Sequence, residues 1–198
     1  MKGYSLAYRL GFTPWEHHGR VTRAHVDPLL AREETGRSRP LGRALDLGCG
    51  RGQHSARLAR RGWEVVGVDV VPRAVDDARR RRISGATFVV GDVTDLAPSE
   101  LGTFDLFLDV GCFQGLNPEQ RLAEGRGVSA LANPGATLLM LAFGATPIRS
   151  VIGGVSRAEI EGALDGWEML SVDAADTTGL GWPLTRTSPR WYRLRLAA

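Results

Sequence analysis

The chain has a single lysine, Lys2, among its 25 basic residues, and only two cysteines, Cys49 and Cys112. Two cysteines cannot build the multi-bridge framework of a small secreted scaffold, so both are expected as free thiols in a reducing compartment. No apolar stretch approaches the roughly 18 residues that a membrane span needs. The N-terminal segment MKGYSLAYRLGFTPWEHHGR also lacks the apolar core of a secretory signal. Cytoplasmic residence without membrane association is the expectation. Charge of one sign is scarce too: the formal net charge is +3, too small to argue for a nucleic-acid partner. There is no internal repeat and no low-complexity tract. What remains is 198 residues, 43% apolar and 24% charged, enough for one globular domain with a full core.

From residue 43 onward, apolar runs of strand length alternate with amphipathic stretches. Arg43–Leu47, Trp63–Val70, Ala86–Val90, Phe104–Val110, Thr137–Phe143, Trp167–Val172 and Arg190–Leu196 read as strands. Gln53–Arg61 places Ser55, Leu58, Ala59 and Gly62 at helical spacing, and Pro72 suits the first turn of a helix running to about Arg82. Pro118–Ala132 is compatible with a helix. Ser156-Arg-Ala-Glu159 has the form of a capping box and predicts a helix through Leu164. Such alternation implies an α/β protein with a mostly parallel sheet and helices on both faces. Ligands of these sheets bind beyond the carboxyl ends of the strands, where the strand order reverses. The loops after Leu47, Val70, Val90 and Val110 all lie there. Residues Asp173–Pro189, rich in Thr, Gly and Pro, read as a long loop.

The first of these loops is Asp46-Leu-Gly48-Cys49-Gly50-Arg-Gly52. A dinucleotide fingerprint needs glycines at relative positions 1, 3 and 6, but here position 6 is Gln53 and the third glycine comes one residue early. No Gly-Lys-Ser/Thr ending is present, which excludes a Walker-type phosphate loop. Asp46 would repel a phosphate, yet it could receive an ammonium group directly or through water. Asp69 closes the second strand, 21 residues after Gly48, where a carboxylate can accept from a ribose diol. The pocket therefore calls for a ribose, close backbone contact and a small cationic group, without phosphate. S-adenosylmethionine fits that description.

ALDLGCGRG, VVGVD, FVVGDV and FDLFLDVGCF, in that order, resemble the successive motifs of class I S-adenosylmethionine-dependent methyltransferases, from about Arg43 to Phe143. The resemblance implies a Rossmann-like, doubly wound, seven-stranded sheet. It also implies that Gly48, Cys49, Gly50 and Gly52 form the loop under the methionine part of the cofactor. Asp69 and Val70 would hold the ribose side, Asp92 and Val93 the adenine, and Asp109 and Gly111 the methionine moiety. Cys112, Phe113 and Gln114 would face the acceptor. GFTPWE at residues 11–16 is similar to a segment of the thiopurine and tellurite-resistance branch of small-molecule enzymes, whose N-terminal segment closes over the cofactor. By that likeness residues 1–42 form a lid or helical segment ahead of a core at 43–198, with Trp15 against the cofactor.

The implied activity is methyl transfer to a small molecule, with O- or S-methylation favoured and S-adenosylhomocysteine as product. The alternatives are an RNA-directed methyltransferase or a non-catalytic S-adenosylmethionine-binding sensor or scaffold. No Asn/Asp-Pro-Pro-Tyr-type motif or appended RNA-binding domain supports the RNA reading. His17 and His18 are candidate general bases beside the lid, since histidine is the commonest such group. Trp182, in the long loop, is a candidate substrate contact. Two cysteines give no reason to infer a metal site, and methyl transfer needs no covalent intermediate. The arginine run 79–82 reads as a solvated helix end. The assembly is expected to be a monomer or a homodimer.

Overall fold

The computed structural model of the chain describes residues 23–144, 154–176 and 188–197. In chain order these form helix α1 (Arg23–Glu34), strand β1 (Arg43–Leu47), α2 (Gln53–Arg61), β2 (Glu64–Asp69), α3 (Pro72–Arg80) and β3 (Ala86–Val90). A short α4 (Pro98–Leu101), β4 (Phe104–Val110), α5 (Pro118–Leu131), β5 (Ala132–Ala142), α6 (Arg157–Ala163), β6 (Trp167–Ala174) and β7 (Arg190–Leu196) complete them.

The seven strands make one sheet in the order β3-β2-β1-β4-β5-β7-β6. The first five are parallel, and β7 runs antiparallel to both β5 and β6. The order reverses between β1 and β4, so the carboxyl ends of those two strands flank the crevice where such folds bind ligands. Every strand expected from the sequence is present, and the sheet is the expected Rossmann-like one.

Two apolar layers cover the sheet, as the period-two alternation of its strands requires. Leu106 and Leu108 of β4, with Leu139 and Leu141 of β5, pack on one face against Val26 and Leu30 of α1 and Leu58 of α2. Phe107, Leu138 and Met140 pack on the other against Val128 and Leu131 of α5 and Ile160 of α6. Phe107 meets Trp167 edge to face at 6.0 Å. Full burial of each such side chain contributes roughly 1.5–3 kcal/mol. The capping boxes at Asn117/Gln120 and Ser156/Glu159 start α5 and α6, the second as the sequence predicts.

The strand β5 begins at Ala132, five residues before the expected Thr137. Asn133-Pro134-Gly135 has turn composition, but the register shift between Phe104 and Leu106 lets β4 pair with this irregular start. Among the described residues no helix is long and apolar enough to cross a membrane.

Candidate functional site

Each glycine after β1 has a left-handed backbone: φ is 65° at Gly48, 53° at Gly50 and 71° at Gly52. Residues with a Cβ avoid that region, so the sequence turns here as few others could. The turn is then pinned to the neighbouring strand. Cys49 N donates to Val68 O at 2.9 Å, and Gly50 N donates to Asp69 Oδ2 at 2.8 Å. The other oxygen, Oδ1, accepts from Val71 N at 2.8 Å. Asp69 thus joins the loop after β1 to the loop after β2, and carboxylate oxygens can accept more than one hydrogen bond each.

Gly52 has a different reason to be glycine. A Cβ there would meet the Phe88 ring at 2.7 Å and Ala78 at 3.2 Å, so helix–sheet packing excludes a side chain. Val70 and Val90, 42% and 43% exposed, are among the few large apolar side chains left uncovered. They sit at the ends of adjacent strands, with Val90 in register with Asp69. This makes an apolar rim beside a carboxylate. Asp92, after β3, uses Oδ1 to accept from Thr94 N and Thr94 Oγ1, which closes its turn. Val93 is buried in the core.

Beneath the loop lies a set of buried acids. Asp46 of β1 accepts from Ser55 Oγ at 2.5 Å. Burial raises its pKa to about 7; the Ser55 hydrogen bonds oppose that rise, and Asp109 and Asp69 add to it. Asp109, at the end of β4, accepts from Cys112 N at 2.8 Å and Phe113 N at 2.9 Å, which shapes the turn into a 3₁₀ segment at Phe113–Gly115. Burial raises its pKa to about 6 against those two N–H groups. Glu124 of α5 is also buried, and its ionised carboxylate would have no hydrogen-bond partner among the described residues. Burial and the Asp109 charge push its pKa well up, which favours one proton held between the two carboxyls. Cys112 lies with this pair, the ligand-type atoms of all three being within 4.8 Å of one another. Burial, Glu124 and Asp109 push its thiol up, which keeps it neutral. A neutral thiol is neither a nucleophile nor a good metal ligand.

The far wall is held by Arg121 of α5. It donates to Phe113 O at 3.2 Å, Gln114 O at 3.1 Å and Glu159 Oε1 at 2.9 Å, tying the β4 loop to α6. Gln114 Oε1 accepts from Phe143 N at 2.7 Å, and Gly111 N donates to Leu141 O at 3.0 Å.

The expected site residues thus gather at one edge: Asp46, Gly48, Cys49, Gly50, Asp69, Val70, Asp92, Asp109, Gly111, Cys112 and Gln114. Phe113, expected to face the acceptor, is instead buried in the core under the Arg121 guanidinium, 5.6 Å from its ring centre. Trp15, His17, His18 and Trp182 lie outside the described residues. The sequence reading missed Ser55, Val90, Arg121 and Glu124. A signal for the last two was available: residues 121, 124, 128 and 131 form one helical stripe, and charges on a stripe that ends in Val128 and Leu131 face inward.

A family model described as a methyltransferase domain matches residues 44–135. Thiocyanate methyltransferase 1 of Brassica oleracea is 34% identical over 157 residues, which cover 77% of this chain and 65% of that protein. The probable thiol methyltransferase 2 of Arabidopsis thaliana is 32% identical over 182 residues, covering 86% of this chain and 75% of that protein. The chain therefore spans just under two thirds of the thiocyanate methyltransferase's length. Among solved structures, the magnesium protoporphyrin IX methyltransferase of Synechocystis PCC 6803 with bound S-adenosylhomocysteine superposes with a TM-score of 0.70. It is 19% identical, with 91% of this chain and 83% of that one covered, and so shares the fold. With the glycine loop, the Asp69 bridge and the sheet order in place, these matches make the chain a member of the class I S-adenosylmethionine-dependent methyltransferase family.

Proposed function

We propose that this chain is an enzyme that transfers a methyl group from S-adenosylmethionine to a small-molecule acceptor, with a thiol or hydroxyl as the accepting group. The observation that carries this reading is the grouping of Asp69, the left-handed Gly48–Gly50 turn and the exposed Val70 and Val90 at one sheet edge. Those features suit an adenosine: Asp69 to accept from the ribose hydroxyls, the two valines to cover an apolar ring face, and Asp92 to accept from an exocyclic amine. Asp46 and Asp109 place carboxyls on the other side of the turn, where an amino-acid ammonium group would favour their ionised form against the effect of burial. Arg51, the cation within the glycine loop, is held by Asp77 at 3.2 Å.

When bound, the cofactor supplies an electrophilic methyl carried on a sulfonium. The contribution of the chain is then to position. Proximity and alignment can lower a barrier by about 7–11 kcal/mol in the best intramolecular analogues. Gln114 and Cys112, on the turn after β4, are proposed to border the acceptor, with Arg121 fixing that turn from behind. A base is needed only where the acceptor retains its proton near the transition state. His17 and His18 are proposed for that role, Trp15 for a cover over the cofactor and Trp182 for the acceptor side. The preference for sulfur or oxygen rests on relatives named for thiocyanate, thiol and ubiquinone-biosynthesis O-methylation.

Calorimetry with S-adenosylmethionine tests the binding half of the proposal. Asp69→Ala should weaken affinity at least tenfold, and unchanged affinity would contradict the assignment. A panel of thiols, phenols and thiocyanate, followed by S-adenosylhomocysteine release, tests the catalytic half. Turnover with at least one thiol or hydroxyl acceptor is expected. Tight cofactor binding with no turnover across the panel would favour a sensor.

A further inference from the structure

A second concave site lies at the opposite, amino-terminal edge of the parallel strands. It is a cavity of about 310 Å³ whose walls come from the end of α1, the lower part of β5 and the end of β7. Four arginines line it: Arg32, Arg37, Arg193 and Arg195. The placement of the last two follows from the pleat. Arg193 and Arg195 alternate with buried Tyr192 and Leu194, so both point to the face that α1 covers, and Arg195 stands across from Thr137 of β5.

One carboxylate, Glu33, lines the cavity, and it is already engaged. It forms an ion pair with Arg193 Nε and accepts from Arg193 Nη2 at 3.4 Å. Arg37 donates to the backbone oxygen of Glu33 at 2.8 Å and lies 5.2 Å from the Trp63 ring centre, contacts that orient it without neutralising it. Arg32 reaches Ser171 Oγ at 3.4 Å. Among the described residues no carboxylate lies within 4 Å of Arg32, Arg37 or Arg195, and that includes Glu168, the cross-strand neighbour of Arg195. Three arginines that line one cavity therefore have no ion-pair partner within 4 Å among the described residues. Independently, Thr137 lines the same cavity, is 2% exposed, and its buried hydroxyl has no hydrogen-bond partner among the described residues. Buried polar groups are normally satisfied, so an unmatched one marks a place where a partner belongs.

We infer that this cavity binds a small phosphate-bearing anion. The planar forks of arginine match phosphate oxygens in pairs, and three unpaired positive charges suit an anion carrying two or three negative ones. The site is concave, and its lining arginines come from α1, the turn after it and β7. That favours a small ligand over the flat, extended track that a nucleic-acid backbone requires. The sheet separates it from the methyl-transfer edge, so its occupancy is separable from cofactor binding.

The experiment is calorimetry on the full chain saturated with S-adenosylhomocysteine, so that the adenosine pocket is filled, with inorganic pyrophosphate and with adenosine monophosphate, against sodium chloride at equal ionic strength. Binding of one or both beyond the chloride control is expected. Tighter binding of pyrophosphate points to an inorganic ligand, and tighter binding of the nucleotide to an organic monoester. Arg32→Gln/Arg195→Gln should weaken binding at least tenfold and leave S-adenosylmethionine affinity within twofold. Arg157→Gln removes the same charge from the far side and should keep anion affinity within twofold. Thermal melts without ligand establish that each variant is folded. The proposal fails if neither probe binds beyond chloride, or if Arg157→Gln weakens binding as much as Arg32→Gln/Arg195→Gln does. It also fails if a single-stranded oligonucleotide binds more tightly than either probe and loses affinity in the double variant, which would make the surface a nucleic-acid contact.

Discussion

Gly52 shows how one residue type answers two demands. Gly48 and Gly50 turn the backbone at the sheet edge, but Gly52 also leaves room for the Phe88 ring. Gly52→Ala combines a left-handed alanine with overpacking and should cost about 2–4 kcal/mol in urea denaturation. Recovery of part of that loss in a Phe88→Leu background would identify the ring as the obstacle. A Gly52→Ala chain as stable as the parent would refute the packing role. The glycine pattern was legible in the sequence because left-handed turns select glycine locally. The Phe88 contact was not, because it joins residues 36 apart across a strand pairing.

Among the elements, α1 is held by contacts from far along the chain. Its buried Val26 and Leu30 lie against the sheet, and Glu33 pairs with Arg193, 160 residues later. Removing one partner of a buried pair leaves a charge without its counter-ion, at a cost of roughly 3 kcal/mol or more. Glu33→Ala should lower stability by about that amount in the same denaturation assay, whereas Glu33→Ala/Arg193→Met should recover much of it. Equal stability of Glu33→Ala and the parent would show that the pair contributes nothing to docking α1. Strand and helix positions along residues 43–172 were readable from periodicity and caps, except the short α4 at Pro98–Leu101. The antiparallel placement of β7 between β5 and β6 was not, since strand direction leaves no mark on composition. The start of β5 was hidden by Pro134-Gly135, whose turn chemistry is overridden by pairing with β4.

At the scale of the whole molecule, three buried acids among the described residues have folded pKa values above their ordinary ones: Asp46 at about 7, Asp109 at about 6 and Glu124 well raised. The folded chain then binds more protons than the unfolded chain, starting near pH 4. Stability is fully present below the unfolded values and falls as pH rises through the folded ones. Asp46, moved from 3.8 to about 7, alone accounts for a loss on the order of 4 kcal/mol. Calorimetric melting of the cofactor-free chain should therefore show Tm falling between pH 5 and 8, with a shallower fall in Asp46→Asn. A Tm that rises across that interval in the parent would contradict the assignment of raised values to this cluster.

The sequence by itself determined the cofactor end of this protein. Three glycines that only a left-handed turn requires, an acid before them and an acid at the next strand end are short-range signals, written within about two dozen residues. Tertiary structure alone decided the rest. It buried Glu124 against Asp109, put Phe113 in the core instead of the pocket, and brought arginines from positions 32, 37, 193 and 195 around one cavity. Those arrangements depend on strand order and on which face each helix covers. Such long-range choices are set by burial over the whole chain, and local conformational preference does not encode them.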